Sequence, residues 1–543
     1  MSTLRSLSSQ ASRLSAELRG ELVLPRQQRF DEARLAFNLA ADQRPAAVVF
    51  AESAHDVAAA VRFAADCGQQ ISAQGTGHNA MPLGPLAGTI LLKTERMRGV
   101  QVDPVTRTAH VEAGAVWSDV VNAAARYGLA ALAGSSPNVG VTGYVLGGGV
   151  SFLGRKYGLS ASNVTAIQVV TADGQLLHAD SENEPDLFWA LRGGGGSFGV
   201  VTAMDLRLFP VAQVYAGILW YPIERGTEVL HAWRDLTRGD VPDELTTLAR
   251  YLRLPPIPDL PPQLRGKSFA LVETFHLGDP AQADELLAPL RALGPVDDTI
   301  ATMPVPGLLD VHMDPEQPVA YLADGLMLAS LPDEAIGALD ATGGAGAGFP
   351  LASVEIRHLG GELGRDSRHN GALGSLRAPY LMFAAAITPT PELQPPAMAQ
   401  VEAVEDALTP WAARHMYLNM SETARPRATL WTETAYHRLR QIKATVDPQN
   451  VIRSNHPVPP GRRSAHPRQG LPSGSCPLAG DQPRAATSRV DRRQARPASP
   501  GDRRCAPFGN CSLGAAGHDR GVALGQARRH LDRDVAAVAR GCP

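Results

Sequence analysis

The chain has 543 residues, 44% hydrophobic and 19% charged, with 52 Gly and 43 Pro, so it is long enough for two or three domains and rich in turns. Its net charge of −3 is uneven: residues 461–543 hold 15 Arg against 6 Asp, with no Lys or Glu, so that tail is +9 and the preceding body is −12. An acidic body argues against a nucleic-acid partner, and five cysteines, with only Cys67 outside the tail, give neither a disulfide framework nor zinc spacing.

Met1 to Arg19 is polar and serine-rich, without an apolar run suited to a signal peptide or membrane span, so a cytoplasmic protein with no membrane partner is expected. Residues 46–50 (AAVVF) read as a buried strand. Ser53 to Asp66 reads as a helix with Ser53 as N-cap. Residues 70–73 lead into the loop Gln74-Gly75-Thr76-Gly77-His78-Asn79. Its two glycines let the backbone approach a ligand and present N–H groups to phosphate oxygens, beside an imidazole. Short strands follow at 89–93, 99–103 and 108–113, then a helix from Trp117 to Tyr127 that Gly128 ends.

A second glycine-rich segment runs from Gly134 through Ser135, Asn138, Val139, Gly140, Thr142 and Gly143 to Gly147-Gly148-Gly149. Residues 164–171 and 175–179 flank an Asp-Gly turn and read as an antiparallel hairpin, and 199–208 reads as a further strand. The run Gly194 to Gly199 fits G-x-G-x-x-G, but it follows a predicted helix (Asp186 to Arg192) and opens a strand. That order is the reverse of a nicotinamide-binding fingerprint.

After Pro210 the composition changes, with strands at 214–221 and 380–387, a Pro-rich stretch at 254–262 and helical stretches between, so a second α+β domain is expected. Residues 433–446 have helical apolar spacing and stop at Asp447-Pro448. Beyond Pro460 the periodicity is lost. The Arg/Pro/Gly/Ala-rich tail 461–543 reads as disordered and as an out-of-frame translation of GC-rich DNA. The 15 histidines show no metal-ligating spacing, so no metal is expected.

Three clusters in this order, 74–79, 134–149 and 186–199, together with Tyr417-Leu418-Asn419 and the closing run Asp447 to Pro460, resemble the vanillyl-alcohol oxidase/p-cresol methylhydroxylase flavoprotein superfamily in its berberine-bridge-enzyme-like branch. The resemblance spans about Arg19 to Pro460. It implies an α+β protein: a two-part FAD-binding domain from 1–210 and 412–460, with an inserted substrate domain over 211–411 built on an antiparallel sheet. It implies FAD contacts from Gln74 to Asn79, from Gly134, Ser135, Asn138, Val139, Gly140, Thr142, Gly143 and Gly148, and from Gly199, Val201, Tyr417 and Asn419. His78 would carry the flavin covalently. The activity implied is hydride removal from a C–H beside an alcohol or amine of a small molecule, with electrons passed to dioxygen to give hydrogen peroxide. A dehydrogenase using another acceptor and a flavin-bound protein without turnover are the alternatives.

Two positions depart from the branch. Ser136 stands where many members carry a second flavin-linking cysteine, and a hydroxyl is a far weaker nucleophile than a thiolate, so one covalent bond is expected. Met420 stands where several members have a proton-accepting tyrosine, and a thioether takes no proton. Tyr417 is the remaining candidate base near the flavin. Tyr321, His358, Glu362, His369 and Tyr380 are candidates from the substrate domain.

Overall fold

The computed structural model describes residues 11–461 apart from 259, 261, 427 and 428. The basic tail, expected to be disordered, lies outside the described residues from 462 onward.

Ala47–Phe50 and Thr89–Lys93 are buried along their whole length, the pattern of strands covered on both faces. They pair in parallel, and Thr89–Lys93 also pairs in parallel with Gln70–Gln74, while Glu21–Val23 adds an antiparallel edge. Hairpin signals in the sequence foretell only antiparallel neighbours. The parallel pairs arise from crossover connections, one of them carrying the helix Ala54–Asp66, where Ser53 Oγ accepts from Asp56 N at 3.3 Å.

The far end of the chain closes this sheet. Ile71 N donates to Val451 O and Arg453 N to Ile71 O, both at 2.9 Å. The helix Glu433–Val446 holds that closing run in place: buried Lys443 donates to Asp447 Oδ2 at 2.5 Å, to Ser197 O at 2.6 Å and to Ile452 O at 3.0 Å. Both carboxylate oxygens of Asp447 also accept from the backbone, at Val451 and Ile452.

The second sheet has five antiparallel strands in the order Val100–Asp103, Thr108–Glu112, Val200–Arg207, Val164–Val170 and Leu176–Ala179. The helix expected over 117–127 ends at Ala125, because the chain turns through Gly128 at φ +67°. The Gly193–Gly199 run joins the helix Pro185–Leu191 to the strand Val200–Arg207.

The third sheet has eight strands, all antiparallel, with Gln213–Pro222, Ser268–His276, Leu245–Arg253, Leu351–His358, Tyr380–Ile387 and Tyr321–Leu328 adjacent in that order. Side chains alternate across it. Tyr251 points to the helical layer, where its hydroxyl donates to Asp340 of the helix Asp333–Gly343 at 2.6 Å, while Arg250 and Leu252 point the other way into a cavity. Ser353, Glu355 and Arg357 share that second face with Phe383, Ala385 and Ile387.

Candidate active site

The strand Gln70–Gln74 delivers residues 75–79 to one wall of the cavity. Gly77 sits at φ +86°, and a Cβ there would lie 2.8 Å from Ala36 Cβ and 2.9 Å from the Gln74 side chain, so only glycine fits. The turn leaves the His78 ring stacked on Phe37, with centroids 3.7 Å apart and planes 15° apart. His78 Nε2 lies 3.0 Å from Asn138 Oδ1, and the Tyr321 hydroxyl donates to the His78 carbonyl at 2.8 Å. Burial lowers the imidazole pKa to about 4, against the Asp314 charge and the Asn138 bond.

Asn79 Nδ2 reaches the carbonyls of Leu418, Asn419 and Ser421 at 3.3 to 3.4 Å, tying the loop to the C-terminal element. Asn419 Nδ2 in turn donates to Tyr144 O at 2.8 Å and to the Tyr417 oxygen at 3.0 Å. A Cβ on Gly147 would fall 1.8 Å from Asn419 Oδ1, which accounts for a glycine at that contact.

These elements enclose a cavity of about 1200 Å³. All six residues from Gln74 to Asn79 line it, as do Gly134, Ser135, Val139, Gly140, Thr142 and Gly143. Gly199, Val201, Tyr417 and Asn419 complete that wall. Two expected contact residues stand back from it. Asn138 lies behind His78, and Gly148 packs beneath Tyr417, where a Cβ would meet Leu373 at 2.5 Å and the Tyr417 ring at 3.4 Å. Four buried polar atoms of this wall have no hydrogen-bond partner among the described residues: Gln74 Oε1, Asn79 Oδ1, Thr142 Oγ1 and Tyr144 Oη. Buried polar atoms in folded proteins are nearly always paired, so these four mark a site for a polar ligand.

The opposite wall is the open face of the third sheet, and it carries charge. His312 Nδ1 lies 2.7 Å from Glu273 Oε2, and its Nε2 is 3.1 Å from Glu355 Oε2 and 3.7 Å from Asp314 Oδ1. Burial lowers the His312 pKa, but the carboxylates of Glu273, Asp314 and Glu355 outweigh it and hold the imidazole up at about 9 despite Arg250. Arg250 Nη1 donates to His312 O at 2.7 Å and contacts Glu273 Oε1 at 3.3 Å. Arg357 Nε donates to Glu355 Oε1 at 2.8 Å; burial works to raise the Glu355 pKa, yet Arg357 and His312 hold it well below the usual carboxylate range. Asp314 follows Met313, a residue at φ +55°, and accepts from Ser135 Oγ at 2.9 Å, so this segment spans from sheet to glycine loop. Glu422, also on the cavity, is raised well above the carboxylate range by burial and then by Asp324.

Of the candidate bases, Tyr417 lines the cavity but its oxygen is taken. It accepts from Gly149 N at 3.0 Å, Val150 N at 2.9 Å and Asn419 Nδ2. Burial pushes its pKa to about 12 against those bonds. The geometry makes Tyr417 an anchor for the Gly149-Val150 backbone. Tyr321 lines the cavity as a donor to His78 O. The others stand elsewhere: His358 and Tyr380 are packed together with rings 5.9 Å apart, Glu362 pairs with Arg365, and His369 is exposed. Glu355, Arg357, His312, Asp314 and Glu422 escape sequence reading. The one signal available is the period-two spacing of 353, 355 and 357.

Residues 45–180 match the model of an FAD binding domain, and 416–459 match that of berberine and berberine-like proteins. The (R)-6-hydroxynicotine oxidase of Paenarthrobacter nicotinovorans is 30% identical over 466 residues, covering 82% of this chain and 97% of that protein. The chain belongs to the berberine-bridge-enzyme-like FAD-linked oxidoreductases. Within this family the glucooligosaccharide oxidase of Sarocladium strictum is 36% identical over 217 residues, 39% of this chain and 43% of that protein. The crystal structure of 6-hydroxy-D-nicotine oxidase from Arthrobacter nicotinovorans superposes with a TM-score of 0.70 at 25% identity, covering 81% of this chain and 98% of that one. Berberine bridge enzyme from Eschscholzia californica shares the fold, with a TM-score of 0.71 at 19% identity over 84% of this chain and 99% of that one. FAD is thus the cofactor, and the four unpaired polar atoms of the loop wall suit its polar, phosphate-bearing body. Among the described residues no helix is long and apolar enough to cross a membrane.

Proposed function

We propose that this flavoenzyme is an oxidase that removes a hydride from a C–H beside an alcohol or amine of a small organic molecule and passes the electrons to dioxygen, giving hydrogen peroxide. The observation that carries this reading is a cavity whose two walls differ in kind: glycine loops with Tyr417 and Asn419 on one side, charged side chains of an antiparallel sheet on the other. In this reading residues 1–210 and 412–460 hold the cofactor, 211–411 cover the substrate, and His78 is the sole covalent tether. Bound FAD supplies the acceptor for hydride and the route for electrons to dioxygen.

The chain's own residues provide orientation and proton handling. The outer cavity is apolar, with Leu254, Ile257, Phe349 and Ile387, which suits a substrate with an apolar body better than an oligosaccharide rich in hydroxyls. The names of the relatives point to a nicotine-like amine and to sugars, and the apolar lining favours the former class. For an alcohol substrate the proton acceptor is Asp314. Burial raises the Glu422 pKa well above the carboxylate range, Glu355 is held by Arg357 and His312, and Tyr321 donates to a carbonyl. Asp314 has one oxygen bonded to Ser135, and the other lies 3.7 Å from His312, beyond hydrogen-bonding distance.

The test is a screen of aromatic amines, aromatic alcohols and oligosaccharides under air, following peroxide per mole of substrate oxidised. Stoichiometric peroxide from an amine or alcohol is the expected result. Flavin bleaching by substrate without peroxide on readmission of air would remove the oxidase reading and leave a dehydrogenase.

A further inference from the structure

Asn138 stands behind the cavity wall, yet it governs the ring that faces the cavity. Its Nδ2 donates to the carbonyls of Pro315 and Glu316 at 3.2 and 2.7 Å. Two carbonyls at one end of a carboxamide fix which end carries the hydrogens, because the amide oxygen there would set acceptor against acceptor. Oδ1 therefore faces the other way, where Ser136 Oγ donates to it at 2.8 Å and His78 Nε2 lies 3.0 Å off. An oxygen that only accepts demands a hydrogen on Nε2. The lone pair then belongs to Nδ1, on a ring held flat against Phe37 and lining the cavity.

We propose that Asn138 is the positioning residue for flavin attachment: it fixes the tautomer and orientation of His78 so that Nδ1 is the nitrogen bonded to the flavin 8-methyl carbon. This rests on the reading of His78 as the tether. The bond formed is Nδ1–C, and the bond broken is one methyl C–H, whose hydrogen leaves as a proton while its two electrons pass to the isoalloxazine. Dioxygen, the oxidant, takes those electrons with that proton and one from solvent, becoming hydrogen peroxide, while the alkylated ring keeps its Nε2 hydrogen on Oδ1. Attack through Nδ1 places positive charge on the ring, and the Nε2–H to Oδ1 bond shares it, as the third member of a catalytic triad does for its histidine. A pKa of about 4 keeps the free ring neutral and nucleophilic at ordinary pH. Ser136, where the branch often has a cysteine, serves here as the second donor to Oδ1 and helps hold the carboxamide.

Two measurements test this. First, tandem mass spectrometry and NMR of the flavin-bearing peptide from the wild-type protein identify the alkylated nitrogen: Nδ1 is expected, and Nε2 would overturn the proposal. Second, apoprotein is loaded with FAD and the flavin that stays with the denatured chain is followed over time. Asn138→Leu, which removes the acceptor, slows attachment roughly 10- to 100-fold with FAD still bound non-covalently, the range seen when a partner that fixes a histidine tautomer is lost. Asn138→Asp, which keeps an acceptor oxygen, attaches near the wild-type rate. Attachment by Asn138→Leu at the wild-type rate overturns the proposal even where Asn138→Asp folds poorly. Release of all flavin from the denatured wild type would instead sink the tether reading itself, and covalent flavin persisting in His78→Ala would do the same.

Discussion

The two walls of the cavity are built by opposite means. The loop wall presents backbone and small residues: Gly75, Gly77, Gly140 and Gly143 leave the main chain bare, and much of its geometry is set by amide and carbonyl contacts such as those of Asn79 and Asn419. The sheet wall presents long charged side chains, Arg250, Glu355 and Arg357, locked to one another and to His312. A backbone cradle is insensitive to pH and, at Gly77, closed to an added Cβ, whereas a charged lattice responds to protonation. The first suits a cofactor held through every turnover, and the second suits a substrate that must be discriminated and released.

The strongest challenge to this contrast is Asp314→Asn. It removes the acceptor while leaving the Ser135 contact possible, and kcat/KM for an alcohol substrate falls by about 10²- to 10⁴-fold, the usual contribution of a positioned base. FAD content measured by absorbance stays at the wild-type level. An unchanged kcat/KM would move proton removal elsewhere.

The pH dependence of stability separates the walls next. His312 has a folded pKa of about 9, above the ordinary 6.5, so its contribution is fully present below pH 6.5 and is lost as pH rises through 9. Thermal melts between pH 6.5 and 9.5 should show a loss on the order of 3 kcal/mol, which His312→Gln flattens. His78, with a pKa of about 4, lies outside that window and adds nothing to the slope.

Tyr417→Phe separates the anchoring role of that residue from a role as base. Gly149 N and Val150 N lose their acceptor, at a cost of about 1–3 kcal/mol in chemical denaturation, while kcat changes little if the phenol is an anchor. A collapse of kcat with stability intact would restore it as the base. Gly77→Ala is the smallest change: forcing a side chain into the left-handed region and against Ala36 costs about 1–2 kcal/mol, and the loss should be read as weaker FAD retention in the His78→Ala background.

Legibility in the sequence follows the same division. The loop 74–79, the segment from Gly134 and the Tyr417-Leu418-Asn419 element are readable because glycines in tight turns are constrained locally, and a local constraint leaves a local pattern. Asn138 is marked as a site residue in the sequence, but its place behind His78 needs Pro315 and Glu316, far along the chain. Glu355 and Arg357 are invisible for a different reason: strand alternation gives two faces to Leu351–His358, and nothing in those eight residues says which face meets a helix and which meets a cavity.

By itself, then, the sequence determined the family and the cofactor and marked the loop proposed to carry it, because these depend on short segments whose backbone conformation only a few residue types allow. Tertiary structure alone decided the parallel pairing in the first sheet, the charged roof drawn from Arg250, Glu273, His312 and Glu355, and the engagement of the Tyr417 hydroxyl. Each of those rests on groups brought together by sheet register and chain crossover, and such contacts are properties of the packed chain that no single segment encodes.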